Sequence, residues 1–132
     1  MSHPYANDPA TIFLADRIHD LAHRKTQAEI ATEAGFQNAN MLSILKAGKS
    51  KIPLYRVPSL AKALEADPGY VMRLALDQAV GVTAAKAITD IFGAPVSVNE
   101  RGWLDEIRAA SDNSDPRLTA RSRASLRGIF SK

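Results

Sequence analysis

The chain has 132 residues, of which 45% are apolar and 23% charged, enough for one compact domain or a small domain with an extension. It contains no cysteine, which excludes a disulfide framework, cysteine-ligated zinc, iron–sulfur clusters and thiol catalysis. The first ten residues lack the pattern of a secretory signal, and no apolar run approaches the ~20 residues of a membrane span. We therefore expect a cytoplasmic protein that does not enter a membrane.

Charge is distributed unevenly along the sequence, although the net charge is only +3. No acid occurs between Ala34 and Leu64, whereas five basic residues do: Lys46, Lys49, Lys51, Arg56 and Lys62. A second acid-free stretch, from Pro116 to the end of the chain, holds four arginines and a lysine. The two basic segments favour an anionic partner, and the modest total favours a selective contact over a general nucleic-acid coat.

Helix signals follow one another along the chain, whereas alternating β-branched runs are nearly absent, so the sequence predicts an all-α fold. The apolar stripe of Leu14, Ile18 and Leu21 predicts the first helix. Asp67-Pro68 combines a side-chain cap with a proline at the first helical position, which is typical of a helix start. The five predicted helices of this part run over about 10–23, 27–34, 38–47, 54–66 and 68–80.

Three further helices are predicted over about 83–92, 98–110 and 116–130. Ser97 and Glu100 have the spacing of a capping box before the first turn of the second of these. Asp115-Pro116 predicts the start of the last. The expected organisation is a domain over 1–80 followed by a helical extension over 81–132 that packs on the domain or mediates dimerisation.

The middle of the chain predicts two short helices that meet at a steep angle. Ala31 is small where the second helix would cross it. Gly35 lies where the chain must turn sharply, and glycine adopts a positive φ there without strain. Phe36 can fill the corner, and Met41 and Ile44 are expected to form the buried edge of the following helix. Two helices joined in this way form a helix-turn-helix.

These residues resemble the Cro/cI-type helix-turn-helix family, also called the xenobiotic-response-element family. The resemblance covers about residues 10–76 and rests on turn and core positions: Gln27, Ile30-Ala31, Gly35, Met41, Ile44, Gly48-Lys49, Leu60–Leu64 and Asp67-Pro68. It implies a λ-repressor-like bundle of five helices that binds double-stranded DNA as a homodimer, with its third helix in the major groove. The sequence departs from the family at Leu45-Lys46-Ala47-Gly48, which holds an extra residue before the glycine.

Eight polar residues are candidates for DNA contact. If Met41 and Ile44 point inward, amide and hydroxyl side chains that suit base edges face mostly outward: Gln37, Asn38, Asn40 and Ser43. The lysines that follow suit phosphate oxygens: Lys46, Lys49 and Lys51. Through the resemblance, Gln27 corresponds to a position that contacts a backbone phosphate. The sequence thus predicts a sequence-specific transcriptional regulator associated with the nucleoid.

The predicted extension carries apolar groups of its own. Trp103, Leu104 and Ile107 are expected to lie in the core. The last predicted helix is amphipathic, with arginines opposite an apolar side that must pack on this chain or on a second copy. The alternative function is therefore a protein-interaction module, an antitoxin or adaptor, whose extension grips a partner and in which DNA binding is secondary.

His19 and His23 have the spacing of the H-E-x-x-H zinc motif, with Asp20 in place of the glutamate. Asp20 is one carbon shorter than glutamate, and the sequence offers no matching third ligand. Glycines are scattered as helix punctuation, so no phosphate-binding loop is present. We therefore expect no enzymatic activity, no cofactor and no metal site.

Overall fold

The computed structural model describes residues 2–93 and 97–131, and this part of the chain contains α-helices and one 3₁₀ turn but no β-strand. The predicted all-α class is confirmed for these residues. The elements are α1 (Pro9–Leu21), α2 (Gln27–Glu33), α3 (Asn40–Lys46), a 3₁₀ turn (Leu54–Arg56), α4 (Val57–Ala63), α5 (Pro68–Val80), α6 (Val82–Phe92), α7 (Val98–Ala110) and α8 (Ala120–Ile129).

α5 and α7 begin at the side-chain caps that the sequence indicates. The Asp67 carboxylate accepts a hydrogen bond from the Tyr70 amide at 3.0 Å, and α5 has the predicted bounds. Ser97 forms the predicted capping box, and α7 has the predicted bounds as well. The fourth predicted helix is divided, because a 3₁₀ turn occupies its first residues and α4 follows with Pro58 in its first turn, where a missing N–H is tolerated.

The last helix begins later than the sequence predicts. α8 follows Thr119, whose hydroxyl accepts a hydrogen bond from the Ser122 amide at 3.1 Å. Asp115 has a φ of +55°, whereas an N-cap residue needs extended backbone. The predicted start at Asp115-Pro116 is therefore wrong.

The apolar core of the first part of the chain is built by α1–α5 and the loop after α3. Its largest fully buried side chains are Leu14, Leu21, Ile30, Leu42, Leu45, Val57, Leu60 and Leu64. Every buried member of this cluster lies between Ala10 and Ala75, so these elements fill the core by themselves. α6 packs on α5 and buries Ala85.

Residue contacts divide the chain into two compact units, Met1–Gly93 and Ala94–Lys132. The first unit includes α6, so the division falls after the expected domain boundary at 80/81. In the second unit, α7 and α8 meet through the rings of Trp103 and Phe130, whose centroids are 5.8 Å apart. Within these two fully described helices no residue is buried. The expectation that Trp103 and Ile107 lie in the core is therefore wrong, since they are 47% and 50% exposed.

Candidate nucleic-acid interface

α2 begins at a reciprocal cap. Thr26 Oγ1 accepts a hydrogen bond from the Glu29 amide at 3.1 Å, and the Glu29 carboxylate accepts one from the Thr26 amide at 3.2 Å. Two N–H groups that the helix itself leaves unpaired are thereby satisfied. The cap fixes the first turn of α2, which carries Gln27.

A sharp turn follows α2 and directs the chain into α3. The Phe36 amide donates to the Ala31 carbonyl at 2.9 Å, which closes the end of α2. Gly35 has the positive φ predicted for this position, +84°, and this backbone conformation favours glycine. A Cβ added here would lie 2.6 Å from Nη1 of Arg56, at the end of a side chain that can move aside.

α3 is rotated relative to the prediction. Leu42 and Leu45 are its buried residues, 0% and 1% exposed, whereas Met41 is 39% exposed and Ile44 is half-buried. The predicted inward face of Met41 and Ile44 is therefore wrong by one residue. α3 begins at Asn40, two residues later than predicted, after a turn in which Asn38 Oδ1 accepts a hydrogen bond from the Asn40 amide at 2.9 Å.

The predicted amides at the start of α3 are exposed, but they have different roles. Gln37, Asn38 and Asn40 all lie at the surface. The side-chain oxygen of Asn38 is engaged in the first turn of α3, so this residue shapes the backbone. At about 100° per residue, Asn40 lies on the side of α3 opposite the buried Leu42 and Leu45. Asn40 is therefore the best placed of these amides for contact with a groove.

A chain of hydrogen bonds joins the first turn of α2 to α3. Gln27 Nε2 donates to Ser43 Oγ at 2.6 Å, and Lys46 Nζ donates to Gln27 Oε1 at 2.9 Å. Ser43 is half-buried in this cluster and does not face fully outward, because the rotation of α3 turns it toward α2. The cluster fixes α3 against α2 and leaves the ammonium group of Lys46 at its exposed end.

The two lysines beyond α3 lie in different surroundings. Lys49 is exposed next to Gly48, whose carbonyl accepts a hydrogen bond from the Tyr5 amide at 2.9 Å. Lys51 Nζ donates to the Ala79 carbonyl at the end of α5, at 3.2 Å, and lies 5.9 Å from the centre of the Tyr5 ring. Lys51 thus neutralises the negative end of α5, and Lys49 is the more accessible of the two.

An aromatic and basic pair that sequence reasoning misses lies beside the turn. Tyr55 is 78% exposed. The Arg56 guanidinium lies 5.2 Å from the centre of the Tyr55 ring and 5.8 Å from that of Phe36. Cation–π attraction holds Arg56 against the turn after α2. The signal that points to this pair is an aromatic residue inside the acid-free stretch.

The acids that border the acid-free stretch are paired with bases. Glu33 accepts a hydrogen bond from Lys25 Nζ at 3.0 Å, and Glu65 accepts one from Arg24 at 2.7 Å. The hydrogen bond from Arg24 holds the pKa of Glu65 below its usual range. These pairs neutralise the bordering carboxylates and leave the basic groups between them without an opposing acid.

Other features of the chain suggest no second site. His19 lies in α1 and His23 in the turn after it, and both are exposed. Within 2–93 and 97–131, no three His, Asp or Glu side chains come together as metal ligands would. No helix in the same ranges has the length and apolar character needed to cross a bilayer.

Compared with known proteins, the chain matches no family model, no curated protein and no solved structure.

Proposed function

We propose that this chain is a sequence-specific transcriptional regulator of the Cro/cI type, which binds double-stranded DNA through a λ-repressor-like bundle of α1–α5. In this proposal α3 enters the major groove and α2 lies across the DNA backbone. The observation that carries it is the α2–α3 corner: a capped α2, a glycine turn, and an α3 within the acid-free stretch that presents Asn40 at the surface. The proposal assigns no catalytic role and no cofactor to the chain.

The rotation of α3 supports the proposal because it brings the sequence closer to the family pattern. That family more often has an acidic residue, a basic residue and then glycine at the end of the recognition helix. With Leu45 as the last buried position of α3, 1% exposed, two residues, Lys46 and Ala47, precede Gly48. The number of residues before the glycine then agrees with the family pattern, although neither of the two is acidic.

The exposed groups suit recognition of both bases and phosphates. The amide of Asn40 can pair with N6 and N7 of adenine, and Gln37 is exposed in the turn before α3. Met41 and Ile44, which the rotation moves away from the core, offer apolar contact to the methyl group of thymine. The proposed phosphate contacts are Gln27, Lys46, Lys49, Lys51 and Arg56.

A second copy is part of the proposal, because one recognition helix spans only a few base pairs. Two copies on half-sites about 34–36 Å apart would place both recognition helices on one face of the duplex. The second unit, with α7 and α8, is the proposed dimerisation element. A regulator of this kind acts at the nucleoid.

The direct test is selection of the full-length chain on a random duplex library at physiological salt, and the expected product is a palindrome. Asn40→Ala should then lose about 1–3 kcal/mol of binding free energy on the selected site and relax the preference at one base pair per half-site. Lys49→Ala should weaken binding to selected and random DNA alike and lower the salt slope by about one per copy.

Lys86→Ala is the matched control for these variants. Lys86 lies on α6, outside the acid-free stretch, and pairs with Asp90 at 2.8 Å. Its replacement should leave the DNA affinity unchanged. Sequence-specific binding would be contradicted if the selection recovered no motif. It would also be contradicted if Asn40→Ala lowered the affinity for selected and random DNA equally.

The exposed apolar residues of the second unit favour one other function, the protein-interaction module. Ile129 and Phe130 are 64% and 56% exposed, which suits an antitoxin or adaptor that grips a protein partner. This function predicts weak, salt-labile DNA binding together with specific capture of one host protein. A gel shift on the upstream region of its own gene, compared with a pull-down from its host, distinguishes the two.

A further inference from the structure

The second unit is a pair of short helices without a core. α7 presents Trp103, Leu104 and Ile107 within an arc of about 100°, and α8 together with its C-cap residue presents Leu126, Ile129 and Phe130 within a similar arc. The exposed fractions are 47% for Trp103, 42% for Leu126 and 64% for Ile129. The contact between the Trp103 and Phe130 rings holds the two helices together but leaves both apolar arcs accessible.

Two helices of 13 and 10 residues bury too little apolar surface to be stable in water by themselves. The first unit differs in this respect, because its core is complete within α1–α5. The apolar arcs of α7 and α8 therefore need to pack against another apolar surface. For a pair of helices, a second pair of helices provides such a surface, as in a four-helix bundle.

The distribution of charge along α7 and α8 indicates which partner packs on their apolar arcs. From Ser97 to Asp115 the chain has five acids and two arginines, whereas from Pro116 to Ser131 it has four arginines and no acid. The ion pairs among the described residues include none of those four arginines. α7 itself has three acids and two arginines, and Asp105 pairs with both arginines within the helix; the other two acids lie in the loop after it. The hairpin thus has an acidic half, α7 with that loop, and a basic half around α8, and is complementary in charge to a second copy of itself.

We propose that the α7–α8 hairpin pairs with the same hairpin of a second copy in a two-fold symmetric four-helix bundle. The apolar arcs face each other, and the acidic half of each copy lies beside the basic half of the other. Two-fold symmetry makes this contact occur twice, so the interface contains two equivalent pairs of an acidic and a basic half. This interface would join the two copies of the DNA-binding homodimer proposed above. Its formation does not require DNA binding, whereas its role in regulation rests on that proposed function.

A DNA duplex is a less suitable cover for this hairpin. Phosphates would pair with Arg121, Arg123 and Arg127 but would leave Trp103 and Ile129 in water. A second hairpin satisfies the arginines and the apolar arcs together.

The first test is the mass of the full-length chain in sedimentation equilibrium without DNA, so that its outcome does not depend on the proposed DNA binding. The wild-type chain should have twice the monomer mass of 14.3 kDa. Ile129→Glu should raise the dissociation constant by about 100-fold or more, because each copy would bury an unpaired carboxylate. Val98→Glu is the matched control: Val98 is 90% exposed and lies on the opposite side of α7, so its replacement should leave the mass unchanged.

The second test asks whether the charges pair between copies. One variant, Asp105→Asn with Glu106→Lys, makes α7 basic, and another, Arg123→Glu with Arg127→Glu, makes α8 acidic. Each should dimerise poorly alone at low salt, whereas an equimolar mixture should form the mixed dimer. The chain has no cysteine, so one introduced cysteine labels each variant for energy transfer.

A wild-type chain that stays monomeric at tens of micromolar would overturn the proposal. So would a mixture of the two charge variants that forms no mixed dimer, or arginine variants that lose DNA affinity while keeping the wild-type dimer mass. A dimer that forms in solution while the library selection recovers no motif would support this interface and refute the DNA reader.

Discussion

Gln78 is a buried amide that joins three parts of the first unit. Its Nε2 donates to Thr11 Oγ1 of α1 at 3.2 Å, and its Oε1 accepts a hydrogen bond from the Ile52 amide at 2.7 Å. Ile52 belongs to the loop that leaves α3, so the amide ties this loop to α1 and α5. The sequence offers no sign of this role, because glutamine on a helix is most often exposed.

Gln78→Ala should lower the free energy of unfolding by about 1–3 kcal/mol, because it leaves the Ile52 amide and the Thr11 hydroxyl without their partner. Gln37→Ala, which replaces an exposed glutamine, should change it by less than about 0.5 kcal/mol. Urea unfolding of the full-length chain measures both values. Equal effects of the two variants would contradict the role assigned to Gln78.

Glu65 lies at the end of α4 in a left-handed conformation, with a φ of +54°. Arg24 donates to both of its carboxylate oxygens, at 2.7 and 2.9 Å, and Lys25 Nζ lies 3.5 Å away. The hydrogen bond from Arg24 is the main cause that lowers the pKa of Glu65, and the charges of Arg24 and Lys25 act in the same direction. The ionised form of Glu65 is therefore favoured in the folded chain.

A lowered pKa in the folded state means that the unfolded chain binds this proton more readily. The stabilisation from Glu65 is present above the ordinary glutamate pKa and is lost as pH falls through the lowered value. Glu65→Gln should therefore reduce the slope of unfolding free energy against pH in the acidic range. Urea unfolding across that range checks this, with Asp20→Asn, an exposed carboxylate of α1, as the control; an unchanged slope in Glu65→Gln would contradict the assignment.

At the scale of the element, α3 shows why a helix can be predicted while its facing is not. Met41, Leu42, Ile44 and Leu45 are all apolar, so a stripe of Met41 and Ile44 and a stripe of Leu42 and Leu45 fit a helical period equally well. The choice between them depends on the length of the turn after α2 and on the side chains of α1 and α2 that α3 meets. Neither is a local property of the helix.

Leu42→Ala should destabilise the first unit by about 2–5 kcal/mol, because it opens a cavity at a fully buried position. Met41→Ala should cost less than about 1 kcal/mol, since Met41 is 39% exposed. Urea unfolding measures both effects. A larger loss of unfolding free energy from Met41→Ala than from Leu42→Ala would support the inward face of Met41 and Ile44 that the sequence predicts.

At the scale of the whole molecule, the two units differ in how they obtain stability. The first buries a cluster from Ala10 to Ala75, whereas the second has no buried residue among 97–131. The second unit should therefore be folded only where another surface covers it.

Hydrogen exchange on the full-length chain should show this difference. Amides of α1–α5 should be equally protected in the wild type and in Ile129→Glu, whereas amides of α7 and α8 should lose protection in Ile129→Glu, because its hairpin is no longer covered. Val98→Glu should behave as the wild type. Protection of α7 and α8 that survives Ile129→Glu would show that the hairpin is stable without a partner.

The all-α class, most helix starts, the glycine turn at Gly35 and the acid-free stretch all follow from the sequence alone. Caps and glycines act within one turn of the chain, so the local sequence is sufficient to specify them. Two local signals misled: Asp115-Pro116 has the residues of a helix start without its backbone, and the apolar pattern of α3 fits two facings.

Tertiary packing decides which side of α3 is buried, which of the amides near its start stays on its exposed face, and that Gln27, Ser43 and Lys46 form one cluster. It also leaves no residue of α7 or α8 buried. These properties arise from contacts between residues that are remote in sequence, and such contacts depend on turn lengths and on packing, which no local pattern encodes.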